Sequence, residues 1–482
     1  YSWDEFTESK YPTIIYGAGS TGAKLVRGLE KNTLYNPIAF IDDDKSKHGT
    51  ILNYLEVFPF SYIDELIKKK SAKVLVFAIP SLNHKKRVHI FKKLSKYPIE
   101  VKVLPSSSNY SNGVLSIEKI QHLEVGDILG RTAVHPKKEL LERNITKKNI
   151  LITGAGGSIG SELSRQIMKL SPNKIVLMDN SEFNLYNIHL ELTSYDSNIK
   201  IVPSLCTVTN FHQLKKIIFT NNIDTIYHAA AYKHVPMVEL NIVSGTYNNV
   251  VGTYNVAKAA DELKVENMVL VSTDKAVRPT NVMGASKRMA ELILQAFAEK
   301  SKTCFSMVRF GNVLDSAGSV VPLFREQIKK GGPVTVTHRN ITRYFMSIPE
   351  AVELVVQAGA MAKGGDVFVL DMGEPIKIID LAYKMIHMSG LTPIDNENPD
   401  GDIRIEYTGL RPGEKLYEEL LIGNNVTQSE HPRIMQAKEG KLSMQDIQNF
   451  IGFIKEARES QDEKNVKDLL LKYIEGYTSD VN

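Results

Sequence analysis

Twice along this chain an apolar strand runs into a glycine-rich turn and then a helix, and few folds accommodate that opening. The first instance is Thr13-Ile-Ile-Tyr-Gly17-Ala-Gly19-Ser-Thr-Gly22, followed by a helical stretch over Ala23–Leu29. The second is Ile150-Leu-Ile-Thr-Gly154-Ala-Gly-Gly157-Ser-Ile-Gly160. Each turn brings backbone N–H groups together at a helix N-terminus, where an anionic group is well received. Strands and helices then alternate with short loops, which demands a parallel sheet with helices on both faces. The expected class is α/β: two Rossmann-like, doubly wound parallel sheets, the second with a C-terminal substrate-binding cap.

The organisation follows from the alternation. Further strands over Ile38–Ile41, Lys73–Ile79 and Glu100–Leu104, with an amphipathic helix over 84–96, complete a small nucleotide-binding domain at 1–105. The turn-rich Pro105–Gly113 marks a boundary, and 106–147 reads as a connector with a short helix near Lys137–Arg143. The catalytic domain spans 148–482, with strands over Lys174–Met178, Thr225–His228, Asn267–Ser272 and Thr303–Phe310. A cap over about 315–422 holds short strands (Val334–Thr337, Asp366–Leu370) and the helix Ile378–Met388. The polar, helix-prone tail after Lys441 asks for no function of its own.

Charge and cysteine content exclude several functions. Lys+Arg minus Asp+Glu is 59 − 55 = +4, and nothing interleaves aromatic with basic residues, so no nucleic-acid partner is expected. Two cysteines, Cys206 and Cys304, build no disulfide framework, and no CxxC pair suggests a metal site; none is expected. A reducing, cytoplasmic setting fits. No apolar run reaches about 18 residues, so no membrane span is expected here. The chain starts at Tyr1 rather than Met, so a fragment is expected, in which any upstream anchor or signal is out of view.

The first turn is a full GxGxxG, with Asp42 twenty positions after Gly22, where an acid accepts from an adenosine ribose. No constellation in the first 105 residues carries chemistry, so this unit is either a nucleotide binder or a fold kept for structure or regulation. In the second turn Gly154, Gly157 and Gly160, with Ser158 and Ile159, face a pyrophosphate, and Asp179 ends the next strand. A carboxylate there repels a 2′-phosphate, which selects NAD over NADP. Ala229 and Ala230, after the strand ending at His228, complete the expected cofactor contacts. Thr273, Asp274 and Lys275 follow the strand ending near Val271, at the carboxyl edge where open α/β sheets bind ligands. Met283 and Lys287 are four apart on one helix face.

That arrangement resembles the extended short-chain dehydrogenases/reductases, whose usual Tyr-x-x-x-Lys has Met283 in the tyrosine position here. His228-Ala-Ala-Ala-Tyr-Lys-His-Val-Pro236, Asn248-Asn-Val-Val-Gly-Thr253, Ser272-Thr-Asp-Lys-Ala276 and Arg411-Pro-Gly-Glu-Lys415 narrow the likeness. Together they resemble the large, configuration-retaining branch of nucleotide-sugar 4,6-dehydratases acting on UDP-N-acetylglucosamine, over essentially the whole chain. Relatives in that branch carry transmembrane helices ahead of the first fold. The resemblance implies a cytoplasmic catalytic domain, anchored in the full-length protein to the inner membrane.

The reaction it implies removes water from a hexose without net redox change. Hydride leaves C4 for NAD, the C5 proton becomes acidic, the 6-hydroxyl departs, and hydride returns at C6. The resemblance assigns Asp274 to protonating the 6-hydroxyl and Lys275 to the C5 proton. A free lysine, with pKa near about 10.4, is a poor base at neutrality. Burial, together with a positive nicotinamide or Lys287, is expected to lower Lys275. A thioether takes no proton, so with Met283 in place either Asp274 serves the 4-hydroxyl first, or Thr273 relays through water. Lys287 holds the nicotinamide ribose.

For the UDP moiety the candidates are Asn312, Arg343 and Arg411 at the diphosphate, Glu414 at the ribose, and Thr335 and Thr337 beside the uracil. Lys233 and His234 lie near the sugar, although for His234 a structural hydrogen bond serves equally. Leu205-Cys206-Thr207-Val208 departs from the family's Gly-Asp-Val, removing an expected adenine contact. The product is a UDP-2-acetamido-2,6-dideoxy-4-keto-hexose for glycan, capsule or bacillosamine-type sugars. A UDP-sugar 4-epimerase, or a nucleotide-sensing regulator with a silent catalytic domain, are the rival functions. A homo-oligomer pairing through helices around Val250–Leu263 and Ser286–Phe297 is expected.

Overall fold

The computed structural model describes residues 10–30, 34–80, 82–104, 121–122, 126, 134–195, 198–419 and 426–478. The proposed boundary at Pro105–Gly113 lies outside them. The chain divides into two compact units. One comprises Tyr1–Thr132 with Val320–Arg339 and Ile378–Thr408; the other holds Ala133–Ser319, Asn340–Lys377 and Gly409–Asn482.

In the first unit the central strands Tyr11–Tyr16, Tyr35–Ile41, Val74–Phe77 and Glu100–Val103 are parallel, with Tyr11–Tyr16 between Tyr35–Ile41 and Val74–Phe77. Their side chains feed two buried layers, one around Ile14, Leu75 and Phe91 and one around Ile15, Leu25 and Val76. The helix Ser20–Glu30 follows the first glycine turn. The helix Ile378–Met388 packs here too: Met388 joins the layer of Phe91, and His387 Nδ1 lies 3.2 Å from the Ser95 carbonyl. The segments expected as one cap over 315–422 therefore divide between the two units.

In the second unit the strands run, across the sheet, Lys200–Leu205, Lys174–Asp179, Asn149–Thr153, Thr225–His228, Asn267–Val271, Cys304–Arg309 and Asp366–Leu370, all parallel. The order reverses direction between Asn149–Thr153 and Thr225–His228, and that switch opens a crevice at the carboxyl ends. Two antiparallel strands, Ile434–Ala437 and Val426–Gln428, extend the sheet beyond Asp366–Leu370. The connector's helix, Lys138–Glu142, belongs to this unit: Lys137 N–H donates to Gln357 Oε1 at 2.8 Å and Arg143 to the Ala360 carbonyl at 2.9 Å.

The tail has more to do than its polarity suggested. Helices Met444–Ser460 and Glu463–Tyr473 bury Ile447, Phe450, Ile454, Val466 and Leu470 in the main core. They cover the helix Val282–Ala298, whose residues from Val282 to Phe297 are all buried within the chain itself. The face around Ser286–Phe297 expected to meet a second copy is thus occupied by the chain's own C-terminal helices, whose apolar stripe competes for the same surface. Among the described residues no helix is long and apolar enough to cross a membrane, and no group of three His, Cys, Asp or Glu is placed to hold a metal.

Candidate active site

The glycine turn after Asn149–Thr153 admits no side chain at two points. Gly154 has φ +68°, and a Cβ there would lie 2.8 Å from Ala230 Cα; a Cβ on Gly160 would sit 2.0 Å from the Gly154 oxygen. Gly157 caps the helix Ser158–Met168 and leaves its N-terminus open, with Ile159 packed inward and Ser158 Oγ accepting from Ala317 N–H at 3.2 Å. Asp179 accepts from Gly156 N–H through Oδ2 and from Ser181 N–H through Oδ1, both at 2.9 Å, so its carboxylate is fixed at the strand end. A cradle of bare backbone ending in a held carboxylate fits the pyrophosphate and ribose of a dinucleotide.

Ala229 and Ala230 follow the strand Thr225–His228 and form the opposite lip of that turn. Beneath them His228 is buried between Thr153 Oγ1 at 2.7 Å and Thr253 Oγ1 at 3.0 Å. Burial, with the charge of Lys287, pushes it down to about 3, so it is a neutral bridge between strands and helix.

Past Val271 the backbone tightens into one short turn over Asp274–Ala276, with Thr273 Oγ1 accepting from Lys275 N–H. Asp274 is 1% exposed, and its Oδ1 accepts from Thr273 Oγ1 at 2.9 Å and Lys275 Nζ at 3.0 Å. Its other oxygen, Oδ2, is buried without a partner. The space beside it is kept by Gly311, where a Cβ would approach Oδ2 to 3.1 Å. A buried acceptor with nothing to accept from is costly.

Lys275 departs from expectation. Its Nζ also donates to Asn312 Oδ1 at 3.2 Å and lies 3.6 Å from Glu418 Oε1. Burial pulls its pKa down, but the carboxylates of Asp274 and Glu418 outweigh that and leave it raised. Lys287, by contrast, is brought down to about 8 by burial against the opposing pull of Glu291. Lys287 donates to the Val271 carbonyl at 2.8 Å, one turn along its helix from Met283, which is 3% exposed and packed in the apolar core.

Arg343 is buried, with Nη2 on Glu414 Oε1 at 3.1 Å, Nη1 on the Thr342 carbonyl at 2.7 Å and Nε 3.8 Å from Glu418. Glu414 Oε2 accepts from Arg411 N–H at 3.1 Å, and the Arg411 side chain is exposed. Lys233 and His234 are exposed on the loop after Ala230. Thr335 and Thr337 belong to the other unit, where Thr335 Oγ1 accepts from Gln327 at 2.8 Å.

Two features lay beyond sequence reasoning. Glu418 stands just past the Arg411–Lys415 motif, and only its burial distinguishes it from Glu419. A buried quartet also underlies the turn that carries Asp274: Arg309 (1% exposed) pairs side-on with Glu291 (0%) at 2.7 Å, and both Arg309 and Arg288 reach Glu439. Ser272 Oγ donates to the same Glu291 at 2.6 Å, tying the turn to the quartet.

A family model described as polysaccharide biosynthesis protein matches residues 150–439. The capsular polysaccharide biosynthesis protein CapD of Staphylococcus aureus is 45% identical over 444 residues, covering 91% of this chain and 72% of that protein. The X-ray structure of Pen from Bacillus thuringiensis superposes with TM-score 0.55 at 34% identity, over 62% of this chain and 90% of that one. DesIV of Streptomyces venezuelae, a dTDP-glucose 4,6-dehydratase solved with NAD, shares the fold with TM-score 0.51 at 19% identity, over 65% of this chain and 98% of its own. The chain belongs to the polysaccharide biosynthesis protein family, built on the fold of the extended short-chain dehydrogenases/reductases.

Proposed function

We propose that this chain is an NAD-dependent 4,6-dehydratase of UDP-N-acetylglucosamine that retains configuration at C5. The observation that carries the proposal is the Asp274–Lys275 pair: a buried carboxylate with one oxygen left without a partner, beside an amine, at the carboxyl edge of a sheet whose neighbouring turn fits a dinucleotide. Gly154, Gly157, Ser158, Gly160, Asp179 and Lys287 would hold the cofactor. Bound NAD supplies reversible hydride acceptance, and everything else falls to side chains of this chain.

Asp274 Oδ2 takes the proton of the 4-hydroxyl as C4 is oxidised, since Met283 offers none of the chemistry of a tyrosine. Once protonated, Asp274 no longer favours the ammonium of Lys275; the lysine's proton affinity falls, and it acts from the neutral form reached when its ammonium proton has gone to solvent. Lys275 then removes the C5 proton, made acidic by the 4-ketone, while Asp274 protonates the departing 6-hydroxyl. Lys275 returns its proton to the same face of C5, so both groups end as they began. Arg343 and Arg411, with Glu414, suit a diphosphate and ribose.

The N-terminal unit is proposed as a second nucleotide-binding module. Its turn matches the one after Asn149–Thr153: a Cβ on Gly22 would sit 2.0 Å from the Gly17 oxygen, and Asp42 Oδ2 accepts from Ala18 N–H at 2.7 Å. A cavity of about 1080 Å³ opens beside Gly19, Lys47, Lys86 and His89.

Incubation with UDP-N-acetylglucosamine tests the function: a 4-keto-6-deoxy nucleotide sugar is expected by NMR, and none with Asp274→Asn. An unchanged substrate, or an epimer at C4, refutes it.

A further inference from the structure

Glu418 has no part in the cycle just described, yet it is buried against both cations of the cluster. Its Oε1 lies 3.6 Å from Lys275 Nζ and 3.8 Å from Arg343 Nε. The Lys275 ammonium donates to two acceptors, Asp274 Oδ1 at 3.0 Å and Asn312 Oδ1 at 3.2 Å, and has the Glu418 carboxylate as an ion-pair partner at 3.6 Å. Arg343 is in turn fixed by Glu414 and by the carbonyls of Thr342 and Leu416, so the Glu418 carboxylate rests on a cation that keeps its charge.

We propose that Glu418 is a positioning residue for the base, holding the Lys275 amine between Asp274 and Asn312 and stabilising its ammonium when Asp274 is protonated. The inference rests on the dehydratase function, because its weight comes from the order of proton transfers. When Lys275 accepts the C5 proton, Asp274 has already taken a proton from the 4-hydroxyl and is neutral. Asn312 is neutral throughout. Among the described residues Glu418 is then the one negative group paired with the forming ammonium, with Arg343 opposing it. The charged groups facing Lys275 are Asp274 on its own turn, Glu418, and Arg343 from a third segment. An opposite charge at this range shifts an amine by about 1–3 pH units.

The test is the titration of Lys275 in the full chain, read as its rate of acylation by trace acetic anhydride across pH, with the peptide identified by mass spectrometry. Glu418→Gln is expected to lower the midpoint by about one unit or more, and Glu418→Asp to leave it near that of the parent. With UDP-N-acetylglucosamine the acidic limb of the pH–rate profile should move down by a similar amount, and the plateau should fall as the base weakens. A residue that only braces the fold lowers the plateau and leaves the limb in place. An unmoved Lys275 midpoint in both variants overturns the proposal. A moved midpoint in a parent protein that converts no nucleotide sugar supports the hold of Glu418 on Lys275 and instead refutes the dehydratase function.

Discussion

Replacing Glu291 by glutamine removes one charge from the buried quartet and leaves its shape intact. In the native chain Glu291 accepts from Arg309, Arg288 and Ser272. Burial alone would raise its carboxyl, but Arg309, Arg288 and Ser272 reverse that and hold it at about 2, against an ordinary 4.5. At about 1.4 kcal/mol per unit, that difference amounts to about 3 kcal/mol, the lower end of the ~3–5 kcal/mol expected for breaking a buried ion pair. Because the folded-state value is depressed, the stabilisation is complete above the unfolded value of 4.5 and drains away as pH falls towards about 2. Glu291→Gln should therefore lose about 3 kcal/mol near neutrality, with the gap to the parent narrowing to about 1 kcal/mol at about pH 3. Urea unfolding followed by circular dichroism at the two pH values measures both. Equal stability near neutrality, or a gap indifferent to pH, would refute the reasoning. Turnover should fall as well, since Ser272 loses its charged partner and the Asp274 turn its anchor.

Lys275→Met should reduce turnover by about 100-fold or more and abolish exchange of the C5 proton with deuterated water; persistent exchange would place the base elsewhere. Met283→Tyr should not raise turnover, because the position is packed in core and Asp274 already serves the 4-hydroxyl; a large gain would argue against that double duty. Gly160→Ala sets a Cβ 2.0 Å from the Gly154 oxygen, so the purified variant should lack the dinucleotide released from the parent by acid. Full cofactor content would sink the proposed cradle.

What the sequence made legible was local. Two glycine turns announced two sheets because a glycine requirement at Gly154 or Gly160 arises within a few residues of backbone. Strand Thr225–His228 and helix Ile378–Met388 were recoverable because apolar runs and periodicity are short-range signals. The adjacency of Asp274 and Lys275 needed no structure at all. The proton affinity of Lys275 did, because Asp274 raises it together with Glu418, which comes from a distant segment, whereas burial alone argued for the opposite sign. Arg309 and Glu291 lie on a strand and a helix whose packing brings two charged residues inward, and a charged residue in sequence reads as surface. The C-terminal helices looked dispensable because their apolar stripe is narrow, yet it covers the helix carrying Met283 and Lys287. The expected cap divided because Met388 found a core in the N-terminal unit, a choice between partners that no single segment records.

The most direct measurement follows one atom. UDP-N-acetylglucosamine deuterated at C4, incubated with the protein and its bound cofactor, should yield a 4-keto product whose C6 methyl group carries that deuterium. Deuterium remaining at C4 of a substrate or its epimer, or a ketone whose C6 stays unlabelled, would contradict the account.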